Sequence, residues 1–160
     1  MSDIFSQRKR SAVMAAIRSH GNKSTELRLI QIFRAHGITG WRRGRKIRGP
    51  KTENGGPRRR FVVRPDFVFP KLPPSPRRRR TGKTAVFVDG CFWHGCPSHG
   101  TKPKTNAAFW RKKIQRNQAR DKEVNRLLRA KGWKVVRVWE HELARKNLPR
   151  LLKRLASLRS

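Results

Sequence analysis

Apolar residues recur along the chain at two spacings, and the switches between them mark out the elements. Val13, Met14 and Ile17 lie at helical spacing within residues 11–19, which the turn His20-Gly21-Asn22 ends. Leu27, Ile30 and Phe33 form a second helical stripe over 24–36, stopped at Gly37. From 40 to 60 apolar positions thin to Trp41 and Ile47, which predicts a weak strand near Trp41 and then an extended, mobile basic loop. Residues 61–69 hold two short apolar runs around Arg64-Pro65-Asp66, with Pro65 marking a strand edge or bend. Residues 84–88, TAVFV, have the β-branched and aromatic makeup of a buried strand, and Gly90 supplies the break after it. Phe109, Ile114, Val124, Leu127 and Leu128 give the buried side of a long helix over 106–131, ended by Gly132. WKVVRVW, 133–139, reads as a strand with Glu140-His141-Glu142 at its exit, and 143–158 as a basic amphipathic helix. There are no internal repeats, so the order predicts one mixed α/β domain over 1–160 with a small central sheet.

Charge changes the picture more than composition does. The 160 residues are 35% hydrophobic, enough for one modest core, but they hold 42 Lys plus Arg against nine Asp plus Glu, a formal charge of +33. A fold does not need such self-repulsion, so the partner is a polyanion, with nucleic acid first. A polybasic membrane-surface protein is the competitor, but no lipid-facing helix, lipidation motif, signal peptide or long apolar span accompanies the charge. Charge alone fits a ribosomal-type binder as well as an enzyme. The chain includes a basic lead-in at 1–10 and two basic inserts, 44–60 and 71–83; the second, KLPPSPRRRRTGK, is too rich in Pro and Arg to pack a core. Two cysteines without a secretory signal point to thiolates in a reducing cytoplasm rather than to a disulfide framework.

Acids are scarce, so a carboxylate at a strand end is a candidate for holding metal. Asp66 follows Pro65, and Asp89 ends the 84–88 strand. Two strands ending in carboxylates can share one divalent ion, as phosphodiester hydrolysis needs, although each Asp can equally start a turn. Cys91, Cys96 and His99 lie in one loop and His141 at the exit of a later strand, a set of four borderline ligands that reads as structural zinc; the plain alternative is buried thiols and surface histidines. His94 suits general acid or base work, or zinc ligation in place of His99, and spacing does not decide. Phe92, Trp93 and Trp110, supported by Met14, suit stacking on bases or wedging between them, against the alternative of core. Glu26, in the first turn of the second helix, has a catalytic role or a plain one against the helix dipole.

Taken together, MAAIRSHGNKSTELRL, RPDFVF, VFVDGCFWHGCP, FWRKKIQRNQARD and GWKVVRVWEHEL resemble, in order, the very short patch repair endonucleases, over most of residues 9–143. The resemblance implies a restriction-endonuclease-like fold, a three-layer core with a small mixed sheet flanked by helices. It implies a magnesium-dependent nick 5′ of the thymine in a T:G mismatch, the product of 5-methylcytosine deamination. It makes Asp66 the metal-binding catalytic aspartate, Val88 a magnesium ligand through its backbone carbonyl, and His94 and Glu26 residues of the active centre. Cys91, Cys96, His99 and His141 become the zinc ligands, and Phe92, Trp93 and Trp110 the wedge beside the mismatch, with Met14 approaching from the other groove. The implied partners are double-stranded DNA with a T:G mismatch and mismatch-repair proteins; the implied protein is a monomer in the bacterial cytoplasm at the nucleoid. Three departures stand out. Some members carry histidine at Asp89, which makes Asp89 either a direct metal ligand or a partner for the water. The zinc loop is spaced differently, and neither insert has a counterpart. Two rivals remain: a nuclease of the same fold acting on matched DNA, and a non-catalytic zinc-containing DNA-binding module.

Overall fold

The computed structural model describes residue 8, residues 25–48, 62–70, 82–101 and 103–158. The expected helix over 11–19, the turn at 20–22, Met14, the lead-in apart from Arg8, and the bulk of both inserts lie outside the described residues.

Helix α1 (Glu26–Ala35) buries Leu29, Ile30, Ile32 and Phe33 along one stripe. It closes as its glycine predicts: Gly37 takes φ +65°, and Ile38 N–H reaches back to the Phe33 carbonyl at 2.9 Å, with the Ile38 side chain buried. Strand β1 (Arg42–Arg43) follows. The stretch expected to be a mobile loop instead contains β2 (Ile47–Arg48), paired antiparallel with β3 (Val62–Val63). Burial of Ile47 against Val63 and Val68 supplies the apolar contact that so sparse a sequence did not advertise.

Strands β4 (Phe67–Phe69) and β5 (Thr84–Asp89) pair antiparallel, and β5 pairs parallel with β6 (Lys134–Trp139) through the crossover helix α2 (Ala107–Ala130). The mixed sheet has the order β1-β4-β5-β6. Alternate side chains divide between two clusters. Phe67, Phe69, Val86 and Val138 pack with α1 and with Leu151 and Leu155, whereas Val68 and Ala85 pack with Val124 and Leu128 of α2. Phe33 and Phe67 meet edge to face at 5.2 Å, both fully buried, and such a side chain contributes about 1.5–3 kcal/mol.

Two expectations need correction. Phe109, assigned to the buried side of α2, is 59% exposed, because it lies in the first turn, away from Val124 and Leu128. The closing helix is not continuous over 143–158: short 3-10 turns at Glu140–Leu143 and Arg145–Asn147 precede α3 (Leu148–Leu155), and another at Ala156–Leu158 ends it. Ala144 is extended between the first two turns, and Pro149, with no N–H to give an earlier turn, suits only a helix start. Among the described residues, no helix is long and apolar enough to cross a membrane.

Candidate active site and metal centre

Parallel pairing of β5 with β6 sets Asp89 opposite Trp139, so residues 90–99 and the turn carrying His141 leave the sheet at the same edge. The 90–99 loop is held tightly. Cys96 N–H bonds the Cys91 carbonyl at 2.9 Å, and from α2 the Asn117 side chain donates to the Trp93 carbonyl at 2.8 Å. Gly95 sits at φ +62°, and a Cβ there would come within 2.8 Å of Ile114, so this close approach of loop to helix requires glycine.

At that edge Cys91, Cys96, His99 and His141 bring one ligand atom each to within 4.8 Å of one another. Nδ1 of His141 is 3.2 Å from Cys91 Sγ and 3.6 Å from Cys96 Sγ, and Nδ1 of His99 is 3.9 Å from Cys96 Sγ. Tetrahedral zinc, with bonds of about 2.0–2.3 Å, spaces its ligands by roughly 3.3–3.8 Å, so donors and distances both fit that ion. Burial pushes the Cys91 thiol up and the neighbouring Cys96 and Glu140 add to this, although His141 pulls the other way. A metal ion held there would supply the positive charge that lets the sulfurs ligate as thiolates. We expect one zinc per chain by elemental analysis. Its removal by a chelator, or the substitution Cys96→Ser, should lower the melting temperature by roughly 10 °C or more. Unchanged melting after complete chelation would rule out a structural role.

The same loop turns His94 toward α2. Its Nδ1 lies 2.6 Å from Asp121 Oδ2 and 3.7 Å from Asp89 Oδ1. Arg137 of β6 clasps Asp89 through both oxygens, at 2.6 Å each, and reaches Asp121 Oδ1 at 2.8 Å. Burial alone would lower the His94 pKa, but the Asp121 hydrogen bond and the charges of Asp89 and Asp121 outweigh it and hold it above 6.5. Burial opposes charge on Asp121 as well; His94 and Arg137 prevail and keep its carboxyl below the ordinary range.

Asp66 occupies a different setting. The β4–β5 ladder ends at Phe67 opposite Val86, and beyond it the Asp66 carboxylate takes over as acceptor for Val88 N–H at 2.8 Å. Continued by two residues, the register sets Pro65 opposite Val88, and proline has no N–H to give the Val88 carbonyl. Asp66 lines a cleft of about 260 Å³ with Glu26, Arg43, Gly44, Arg64 and Pro65, where Glu26 is buried and bonded to Arg43. Asp66 and Glu26 offer hard oxygen donors of the kind magnesium takes, beside the guanidinium groups of Arg43 and Arg64. The structure thus joins Asp66 to Glu26 and to the backbone of Val88, and joins Asp89 to His94, with Arg137 filling both Asp89 oxygens.

Phe92, Trp93 and Trp110 do meet, with ring centroids 5.1 to 5.9 Å apart, and all three are part-exposed; Phe109 packs on Trp110 at 5.2 Å. Sequence reading missed Asp121 and Arg137. The signals were there: Asn117, Gln118, Asp121 and Asn125 make a polar stripe at helical spacing in a basic helix, and Arg137 is a lone charge inside an apolar strand.

The family described as DNA mismatch endonuclease Vsr matches residues 2–100, which take in Glu26, Asp66 and the whole Cys91–His99 loop. The type II nicking enzyme V.NaeI of Lentzea aerocolonigenes is 50% identical over 80 residues, half of this chain and 42% of that enzyme's length. The type II nicking enzyme V.NmeAIP of Neisseria meningitidis is 35% identical over 151 residues, 94% of this chain and 90% of the relative. The DNA mismatch endonuclease Vsr of Escherichia coli is 28% identical over 141 residues, 88% and 74% of the two chains. A family match over residues 2–100, together with an alignment that spans nearly all of this chain and of V.NmeAIP, means that the chain belongs to the Vsr family of DNA mismatch endonucleases.

Proposed function

We propose that the protein nicks one DNA strand 5′ of the thymine in a T:G mismatch left by 5-methylcytosine deamination, beginning very short patch repair. The observation that carries this reading is that Phe92, Trp93 and His94, the aromatic probe residues and acid–base group of this proposal, are consecutive in one ten-residue loop, with Trp110 packed against it from α2. Phe92 and Trp93 are the two residues before His94, so insertion beside a mispair and attack on the adjacent phosphate are geometrically tied. A wobble pair costs less to unstack than a matched one, so insertion favours the mismatch. Two relatives are named nicking enzymes, which supports scission of a single strand.

Asp66 and the Val88 carbonyl hold magnesium in this reading, with Glu26 beside them, and the scaffold is the three-layer restriction-endonuclease-like core. Bound there, magnesium supplies charge neutralisation at the phosphate and acidifies a water. Of the two roles open to Asp89, the Arg137 clasp favours a partner to the water over a direct ligand. His94, whose protonated form is favoured by Asp121 and Asp89, donates from its outer nitrogen toward the leaving oxygen. Cys91, Cys96, His99 and His141 bind zinc and fix the loop, and Met14 supports the probe from the second groove. The protein works as a monomer in the bacterial cytoplasm at the nucleoid, on double-stranded DNA and alongside mismatch-repair proteins.

The test is magnesium-dependent cleavage of labelled duplexes with a central T:G in varied contexts, beside T:A and C:G controls at moderate salt. The expected result is a nick 5′ of the mismatched T alone. Cutting of both strands in matched DNA would overturn the mismatch reading, and tight binding without any scission would overturn the catalytic one.

A further inference from the structure

Arg137 interrupts the apolar run of β6, and its side chain is only 19% exposed. A guanidinium so far from water persists only where paired. Here Nε and Nη2 bond Asp89 Oδ2 and Oδ1, Nη2 also reaches Asp121 Oδ1, and Nη1 bonds Asn125 Oδ1 at 3.3 Å. The register that sets Phe87 opposite Arg137 lets the guanidinium lie over the Phe87 ring, 5.0 Å from its centroid. The remaining Asp121 oxygen, Oδ2, faces His94 Nδ1 at 2.6 Å. All four carboxylate oxygens therefore have a nitrogen partner, and three of them face one planar fork. Asp89, His94 and Asp121 are close enough to hold an ion, but a cation on those oxygens would meet the guanidinium head on.

We propose that Arg137 is a positioning residue for His94: an internal cation that spans Asp89 and Asp121 and fixes the Asp121 carboxylate with Oδ2 against Nδ1. An acceptor-only carboxylate there makes Nδ1 the donor and leaves Nε2 as the nitrogen available at the phosphate. The clamp needs two carboxylates engaged by one rigid plane, which the point charge of a lysine cannot reproduce. What the clamp positions His94 to do rests on the endonuclease reading; the geometry it imposes does not.

The experiment compares wild type, Arg137→Lys and Arg137→Ala by ring ¹⁵N NMR of zinc-loaded protein at alkaline pH, and by single-turnover nicking of a T:G duplex. His94→Gln serves to assign the signal. In wild type, His94 should show one tautomer, protonated at Nδ1; both variants should show a mixture. Nicking in Arg137→Ala should fall about 100-fold with duplex affinity within about threefold, and methylguanidinium should restore at least about tenfold, but not when Asp121→Asn is also present. If Arg137→Ala does not fold, Arg137→Lys decides: the expected loss is about tenfold together with the mixed tautomer, and full activity overturns the clamp. A folded Arg137→Ala that nicks at the wild-type rate, or keeps the single tautomer, also overturns it. If wild type nicks no duplex, the endonuclease reading fails, and the tautomer comparison alone still decides for or against Arg137.

Discussion

Asp66→Asn should remove nicking by roughly 10⁴-fold or more while duplex affinity stays within about threefold. The cleft with Glu26 and the backbone of Val88 places Asp66 where hard oxygen donors converge, so its negative charge is what a divalent ion would lose. Affinity should be spared, because on the proposed reading it comes from the basic surface and the aromatic residues rather than from one carboxylate. The choice of asparagine matters. Its amide oxygen can still accept from Val88 N–H, so this variant separates charge from structure, whereas Asp66→Ala also strands that N–H and costs about 1–3 kcal/mol of stability. Single-turnover rates across a magnesium titration, with melting curves for both variants, make the distinction. Equal loss of rate in the two, with loss of stability only in the alanine variant, is the expected pattern. Near-wild-type nicking by Asp66→Asn would remove Asp66 from the chemistry.

The elements that could be read from the chain are those whose burial is local and periodic. Strand β5 is apolar from Ala85 to Val88 because helices cover the sheet around it, and α1 ends where Gly37 permits a left-handed turn. Strand β3 lies in the first apolar run of 61–69, but β2 was not legible, because two residues carry no period and their stability comes from pairing with β3 across an insert. The break at Ala144 was hidden by the opposite effect: leucines at 148, 151, 152, 155 and 158 suggest one helix, and only Pro149 argues for a later start.

The candidate site divides the same way. Cys91, Cys96 and His99 lie within one loop, so their spacing brings them together whatever the topology, and the parallel β5–β6 pairing adds His141. Asp66 and Asp89 looked alike in sequence, as carboxylates at strand ends. What separates them is register: Asp66 stands where the antiparallel ladder fails at Pro65, and Asp89 stands where the parallel ladder brings β6 and its Arg137 alongside. No pattern within either strand encodes its neighbour's register, so Asp121 and Arg137 emerged as partners only once the chain was folded.

His94→Ala should lower the nicking rate about 10²–10⁴-fold, and pH should reveal its protonated form as the active one. With its pKa held above 6.5 by Asp121 and Asp89, against burial, His94 donates best below that raised value, so the rate limb it controls falls as pH rises through it. Asp121→Asn removes the hydrogen bond that contributes most to raising it, and should shift the limb to lower pH. Stability follows the same signs. The His94 contribution is full below 6.5, its unfolded value, and is lost as pH rises through the raised folded one. The Asp121 contribution is full above 3.8 and is lost as pH falls through its lowered folded value. Between those limits the pair is fully charged, so Asp121→Asn should cost about 1–3 kcal/mol near pH 5.5, seen as a drop of roughly 2–10 °C in melting temperature, and clearly less at pH 9. Melting curves at the two pH values test the ion pair without DNA, and pH–rate profiles test its use. A variant equally destabilised at both would show that Asp121 contributes through Arg137 or through packing and not through the charge on His94.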